Sequence, residues 1–281
     1  MIVIRSIKKL SSYIKDQKER SKVIGFVPTM GYLHQGHLSL VRRARKETDI
    51  VVMSIFVNPT QFSPREDFRE YPRDLKRDIK LAESCGVDVI FYPSIKSMYP
   101  EGYLTYVDVE KITDFLCGRS RPGHFKGVCT VVVKLFNLVQ PDIAYFGQKD
   151  FQQVIVIKKM VRDLNIPVKI KICSIIREEG GLAMSSRNTY LSEKEREDAK
   201  VIYEALCKAR EMILKRERDP KVVTKQMKNL ILSKSTSKID YIAIVDTKNL
   251  DPLEETKGRV LVAVACWIGK TRLIDNLIVK A

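Results

Sequence analysis

Strand-like apolar runs and amphipathic runs alternate along the first 175 residues of the chain. Lys22–Pro28 reads as a strand, followed by a glycine-containing loop and a helix from about His37 to Lys46. Asp49–Asn58 is apolar almost without interruption, as a parallel strand buried on both faces should be. A polar loop, a helix over Arg73–Ser84 and a strand at Val87–Tyr92 come next. Val128–Leu138 then reads as a buried helix, Asp142–Phe146 as a strand, Phe151–Leu164 as a helix and Val168–Ser174 as a strand. The alternation predicts an α/β fold, a doubly wound Rossmann-like parallel sheet with ligands at the carboxyl ends of its strands.

The pattern changes near residue 176. A charged helix over Ser192–Lys215 opens with Ser192 and Glu195 at capping-box spacing, and a second helix covers Pro220–Ser233. Strands are predicted at Ile239–Val245, Arg259–Ile268 and Arg272–Val279, the last two joined by a turn at Gly269-Lys270. Helices followed by antiparallel strands predict a second, smaller α+β domain. The expected division is 1–175 and 176–281.

Composition removes several classes of function. With 44% hydrophobic and 30% charged residues the chain can bury a core, which excludes disorder and collagen-like repetition. Its longest apolar runs, such as Val87–Pro93 and Val260–Ile268, fall short of the roughly 18 residues of a membrane span, so no membrane partner is expected. The N-terminal MIVIRSIKKL sets its apolar patch before Lys8 and Lys9, the reverse of a secretory signal, and the expected location is the cytoplasm. Six cysteines are scattered without a CxxC pair, which argues against structural zinc and disulfides. The net charge of +16, concentrated in the first 175 residues, favours an anionic partner, either nucleic acid or a phosphorylated small molecule.

Chemistry enters with Pro28-Thr29-Met30-Gly31-Tyr32-Leu33-His34-Gln35-Gly36-His37, which joins the first predicted strand to its helix. Glycines let backbone approach a ligand, and the helix start offers unpaired N–H groups and a positive dipole end to a phosphate. His34 and His37, two of only three histidines, can donate to phosphate oxygens and stabilise charge growing there. A histidine-containing turn and a two-histidine metal site are the competing readings. The metal site lacks an obvious third ligand.

That loop is accompanied by SIFVNPTQF (Ser54–Phe62), YPRDLKRD (Tyr71–Asp78), RPGHFKGV (Arg121–Val128), YFGQKDFQQ (Tyr145–Gln153) and MSSRN (Met184–Asn188). In these six ordered motifs the chain resembles, over essentially its whole length, the pantothenate synthetase family of the HxGH nucleotidylyltransferase superfamily. The resemblance implies an ATP-dependent ligase that condenses pantoate with β-alanine through a pantoyl adenylate, releasing AMP and pyrophosphate. It implies that residues 1–175 bind nucleotide and pantoate and that 176–281 form a lid over ATP. ATP is assigned to Met30, Gly31, Tyr32, Leu33, His34, Gln35, Gly36 and His37, to Gly147, Gln148, Lys149 and Asp150, to the backbone at Ile176, and to Met184, Ser185, Ser186 and Arg187. His34, His37, Lys149 and Arg187 are expected to carry catalysis. Gln61 and Gln153 would hold pantoate, with Asn58, Tyr71 and Arg121 in the pantoate, β-alanine and pyrophosphate regions.

Each residue type suits its assignment. Gln61 offers a donor and an acceptor, Lys149 a point charge, Asp150 an acceptor for ribose hydroxyls, and Arg187 a guanidinium fork matched to a phosphate chain. Gln148 stands where the family often has Glu. Mg²⁺ should accompany ATP, mainly through phosphate oxygens, with Asp78 as the candidate protein ligand. His124 reads as a histidine that orders the Arg119–Lys126 loop, and Cys117 is given no catalytic role. A homodimer associated through the first domain is implied by the resemblance. Two other readings compete. A nucleic-acid-binding protein on a synthetase-like fold is disfavoured by the absence of an RNP-like strand, zinc knuckle or basic tail. Another HxGH transferase would have no need of the paired NPTQF and FGQKDFQQ segments.

Overall fold

The computed structural model describes every residue of the chain except Arg65. In chain order the main α/β part comprises β1 (Ile2–Ile4), α1 (Ile7–Glu19), β2 (Ile24–Thr29), α2 (Gln35–Glu47), β3 (Ile50–Ile55), α3 (Leu75–Ser84) and β4 (Val89–Phe91). One-turn helices α4 (Ile95–Met98) and α5 (Cys117–Ser120) precede α6 (His124–Val139), β5 (Ile143–Gly147), α7 (Phe151–Asp163) and β6 (Lys169–Cys173). The remainder holds α8 (Glu193–Ala199), α9 (Val201–Leu214), α10 (Pro220–Leu232), β7 (Ser237–Asp246), β8 (Arg259–Ile268) and β9 (Thr271–Lys280).

The first six strands form one parallel sheet in the order β1-β4-β3-β2-β5-β6. From β2 the chain winds outward through β3 and β4, then returns to lay β5 on the other side of β2. That reversal opens a crevice beyond the carboxyl ends of β2 and β5, where a doubly wound sheet receives its ligand. Side-chain alternation along the strands separates two helical layers. Phe26, Val52, Phe91 and Phe146 pack with residues of α1, α6 and α7, whereas their neighbours Val27, Met53, Ile90 and Tyr145 pack with Leu38, Val41 and Ala82 of α2 and α3.

Beyond the parallel sheet, β7-β8-β9 form an antiparallel sheet covered by α8, α9 and α10. Val262, Val264 and Ile268 share a core with Leu206, Ile213 and Met227, while Leu261 and Ala263 on the opposite face join the core of the main sheet. β8 is therefore buried on both sides.

The strands and helices follow the expected pattern with some shifted bounds, among them α2, which begins at Gln35, and with the one-turn helices α4 and α5 in addition. β1 and α1 lie outside it: β1 is three residues long and is defined by its register against β4, a long-range pairing. α3 starts at Leu75 instead of Arg73, because the Asp74 side chain accepts the Arg77 N–H and caps it there. α6 starts at His124, four residues early, just after Gly123 in the left-handed region. The single helix expected over Ser192–Lys215 is two, and at the junction the Lys200 N–H bonds to the carbonyl of Glu197, three residues back. The Ser192/Glu195 capping box is present. No helix among the described residues is long and apolar enough to cross a membrane.

Candidate functional site

A cavity opens at the crevice between β2 and β5. Its walls bring together Met30, His34, Gly36 and His37 from the first loop, Gln61, Tyr71 and Arg121, the segment Gly147, Lys149, Asp150 and Gln153, and Ile176 with Met184–Arg187. Sixteen of the sequence-derived candidates thus face one space. Gly31, Tyr32, Leu33, Gln35, Asn58, Gln148 and Asp78 do not line it.

Loop residues 30–37 are held in an unusual backbone path. Gly31 and Tyr32 both have positive φ, 85° and 51°. A Cβ on Gly31 would lie 2.9 Å from Ile55 Cγ2 and 3.0 Å from Asp78 Oδ2, so only glycine fits. Asp78, 1% exposed, accepts the backbone N–H groups of Tyr32 and Leu33, each at 2.7 Å. In this structure each Asp78 oxygen takes one of these N–H groups, so the side chain holds the loop that carries His34 and His37. Burial nevertheless raises its pKa above the ordinary carboxylate range, against the pull of the two N–H groups. Among the described residues no group of three or more His, Cys, Asp and Glu is disposed to hold a metal ion.

His34 caps α2. Its Nδ1 accepts the Gly36 N–H at 3.1 Å, and His37 Nδ1 accepts the His34 N–H at 3.4 Å. Each Nδ1 is thereby an acceptor, so the neutral ring carries its proton on Nε2, the nitrogen left free to donate. The ring centroids lie 4.0 Å apart with the planes tilted by 33°. Burial, and then the charge of Lys149, lowers the His34 pKa to about 4. Burial, His34 and Lys149 press His37 well below its ordinary value. Two neutral Nε2–H donors beside one ammonium suit an anionic phosphate that brings no proton of its own.

His124 has the opposite tautomer. Its Nδ1 donates to the Gln61 carbonyl at 2.9 Å, and its Nε2 accepts from Arg121 Nη1 at 3.1 Å. Burial, reinforced by Arg121, lowers its pKa to about 3. It therefore ties the turn carrying Gln61 to Arg121 as a neutral link. Gln61 is fixed a second time by Asn58, whose Nδ2 donates to Gln61 Oε1 at 3.1 Å. Asn58 itself is locked by the Tyr99 hydroxyl (2.8 Å) and the Gly127 carbonyl (3.1 Å), and is 1% exposed. The Gln61 NH₂ group, in a residue that lines the cavity, then has only the Met30 sulfur, 3.3 Å away, as acceptor among the described residues. Asn58 is thus a support behind the site.

Both cavity arginines are engaged by the loop that precedes α3. Arg187 donates to Asp67 at 2.8 and 2.7 Å, and Arg121 to Glu66 at 2.8 Å through both Nε and Nη2. Burial raises the pKa of each carboxyl, but hydrogen bonding and charge from its arginine outweigh it and leave both below their ordinary values. Lys149 Nζ lies 3.4 Å from Asp150 Oδ1. Gln35 sits in the first turn of α2 and accepts from Arg42 at 2.8 Å, while Gln148 reaches Asn276 of β9 at 3.2 Å.

Sequence reasoning missed the apolar wall made by Phe56, Val128, Val131, Val132 and Leu135, although it placed Val128–Leu138 in a buried helix. The missed signal is that α6 is apolar around almost its whole circumference, more than one core face requires. Glu66, Asp67 and Asn276 carried no local signal.

The family model described as pantoate-beta-alanine ligase matches residues 2–278. Pantothenate synthetase of Acetivibrio thermocellus is 59% identical over 280 residues, covering 100% of both chains, and that of Caldicellulosiruptor saccharolyticus is 56% identical with the same coverage. The crystal structure of pantothenate synthetase from Thermus thermophilus superposes with a TM-score of 0.94 at 45% identity, over 99% of each chain. That of the Francisella tularensis pantoate-beta-alanine ligase, complexed with beta-gamma ATP and β-alanine, gives 0.83 at 39% identity, over 99% of this chain and 97% of the other. With its parallel sheet, its histidine loop at the crevice and these full-length matches, the chain belongs to the pantoate–β-alanine ligase family.

Proposed function

We propose that this chain condenses pantoate with β-alanine at the expense of ATP, through a pantoyl adenylate. One observation carries the reading: a single cavity combines donors for a triphosphate, His34, His37 and Lys149, with two amides, Gln61 and Gln153, set against an apolar wall. A carboxylate is a poor acyl donor until its oxygen is bonded to phosphorus. A pantoate carboxylate oxygen attacks the α-phosphorus and the bond to pyrophosphate breaks. The amine of β-alanine then attacks the acyl carbon, forming the amide C–N bond and releasing AMP. Gln61 and Gln153 hold the acid, and the wall of Phe56 and α6 valines accepts its dimethyl carbon. The Nε2–H groups of His34 and His37 and the Lys149 ammonium meet oxygens that gain negative charge in the first step.

Arg187 and Arg121 enter by exchanging Asp67 and Glu66 for substrate anions, so the loop before α3 shifts as ligand binds. Mg²⁺ arrives as part of the nucleotide substrate, held by phosphate oxygens. Residues 1–175 bind nucleotide and pantoate, and 176–281 act as a lid that brings Met184–Arg187 onto ATP. The enzyme works as a cytoplasmic homodimer, without nucleic acid, the excess positive charge serving its anionic substrates. The test is a substrate screen with ATP and Mg²⁺. AMP and pyrophosphate should form when pantoate is present, and the amide only when β-alanine is added. ADP as product, or AMP formed equally without pantoate, would overturn the reading.

A further inference from the structure

Asn276 lies on β9 of the smaller sheet, yet its side chain is committed to the loop after β5. Its Nδ2 donates to the carbonyl oxygens of Gln148 at 3.0 Å and Lys149 at 2.9 Å, and its Oδ1 accepts from Gln148 Nε2 at 3.2 Å. The residue is 3% exposed, so these bonds form away from competing water. The two carbonyls belong to the peptide planes on either side of the Lys149 Cα. Gripping both fixes where the lysine side chain starts and the direction in which it leaves.

Little else holds that segment. Residues 148–150 form one 3-10 turn that follows Gly147, and neither this turn nor the start of α7 has a side-chain cap. A side chain at Gly147 would meet nothing within 4 Å. The preceding residue of β9 anchors the opposite wall. Asp275 takes Arg177 at 2.5 and 3.1 Å, and Arg177 in turn donates to the Gly181 carbonyl at 2.9 Å, inside the hairpin that leads to Met184–Arg187. Two consecutive residues of one strand therefore locate both the lysine and the serine-rich loop.

We propose that Asn276 is a positioning residue for adenylyl transfer that acts through Lys149. The proposal rests on the function proposed above, in which Lys149 meets the phosphates. Its test is a double-mutant cycle on the full-length chain over Asn276→Ala, Lys149→Ala and the double variant. The readout is pantoate-dependent AMP formation, taken in single turnover where rates are low. Wild-type activity in the same assay separates failure of the functional reading from failure of this one. Asn276→Ala should lower kcat about 10–100-fold, since a displacement near 1 Å costs about that much, and leave the pantoate KM within about twofold. In the Lys149→Ala background the same replacement should cost less than about threefold, because its route of action is already gone. Losses that multiply in the double variant, or an Asn276→Ala kcat within about threefold of wild type, overturn the proposal. Asn276→Asp keeps the shape, loses both donors and should match the Ala loss; it replaces the Ala variant in the cycle if that one does not fold. An Asp variant with wild-type kcat also overturns it.

Discussion

Replacing Asp78 by Asn separates a loop-holding carboxylate from a metal ligand. The carboxylate accepts two backbone N–H groups at 2.7 Å in a site 1% exposed. An amide of the same shape offers one acceptor oxygen, so one N–H must face an NH₂ group. Hydrogen bonds to charged groups contribute about 1.5–3 kcal/mol, and a buried donor left unpaired costs about 1–3 kcal/mol. Part of this is returned, because burial disfavours the Asp78 charge and raises its pKa, a penalty that the neutral amide escapes. The net loss is about 2–3 kcal/mol, or a fall in Tm of about 4–12 °C at roughly 2–4 °C per kcal/mol. The loop carrying His34 and His37 should relax with it, lowering kcat for AMP formation about tenfold or more. Thermal unfolding and a Mg²⁺ titration of AMP formation test both halves. The Mg²⁺ concentration giving half-maximal rate should not move. A variant that unfolds like wild type but needs far more Mg²⁺ would refute the reasoning and mark Asp78 as a metal ligand.

Three further outcomes follow from the same geometry. Nitrogen-15 NMR of the histidines at neutral pH should show His34 and His37 protonated on Nε2 and His124 on Nδ1; a uniform tautomer across the three contradicts the hydrogen-bond assignments. All three histidines have depressed folded pKa values, near 4 for His34 and near 3 for His124, so the stability tied to their neutral forms is full above about 6.5 and is lost as pH falls through the folded values. Denaturant unfolding between pH 6.5 and 4 should show this decline, up to about 1.4 kcal/mol per pH unit for each histidine, and His124→Gln should lose one proton of the linkage; a flat profile counts against it. Gly127→Ala puts a Cβ 2.3 Å from the Thr60 carbonyl oxygen and 2.6 Å from the Gln61 N, so it should shift the Gln61 turn and raise the pantoate KM about tenfold with a smaller change for ATP; equal changes in both would argue against Gln61 as the pantoate contact.

How far the molecule could be read in advance depended on the range of the forces involved. Strands β2, β3 and β5 announce themselves because burial on both faces demands apolar runs, and the histidine loop because glycines and histidines cluster at a strand end. β1 was illegible: three residues become a strand only by pairing with β4 far along the chain. Asp78 stands out in the sequence only as a candidate metal ligand, since its hold on the histidine loop depends on N–H groups 45 and 46 residues away. The guanidinium of Arg187 was legible as an anion binder, but its present partner, Asp67, comes from 120 residues earlier. Asn276 belongs to the same class. Local chemistry marks what a residue can bind, and the fold decides which partner reaches it.

Isotope transfer from pantoate to AMP tests the central claim most directly. Protein incubated with ATP, Mg²⁺, β-alanine and pantoate labelled with oxygen-18 in its carboxylate should yield AMP carrying one labelled oxygen, because the attacking carboxylate oxygen stays on phosphorus when the amide forms. AMP free of label, or a labelled product accompanied by ADP, would contradict a pathway through pantoyl adenylate.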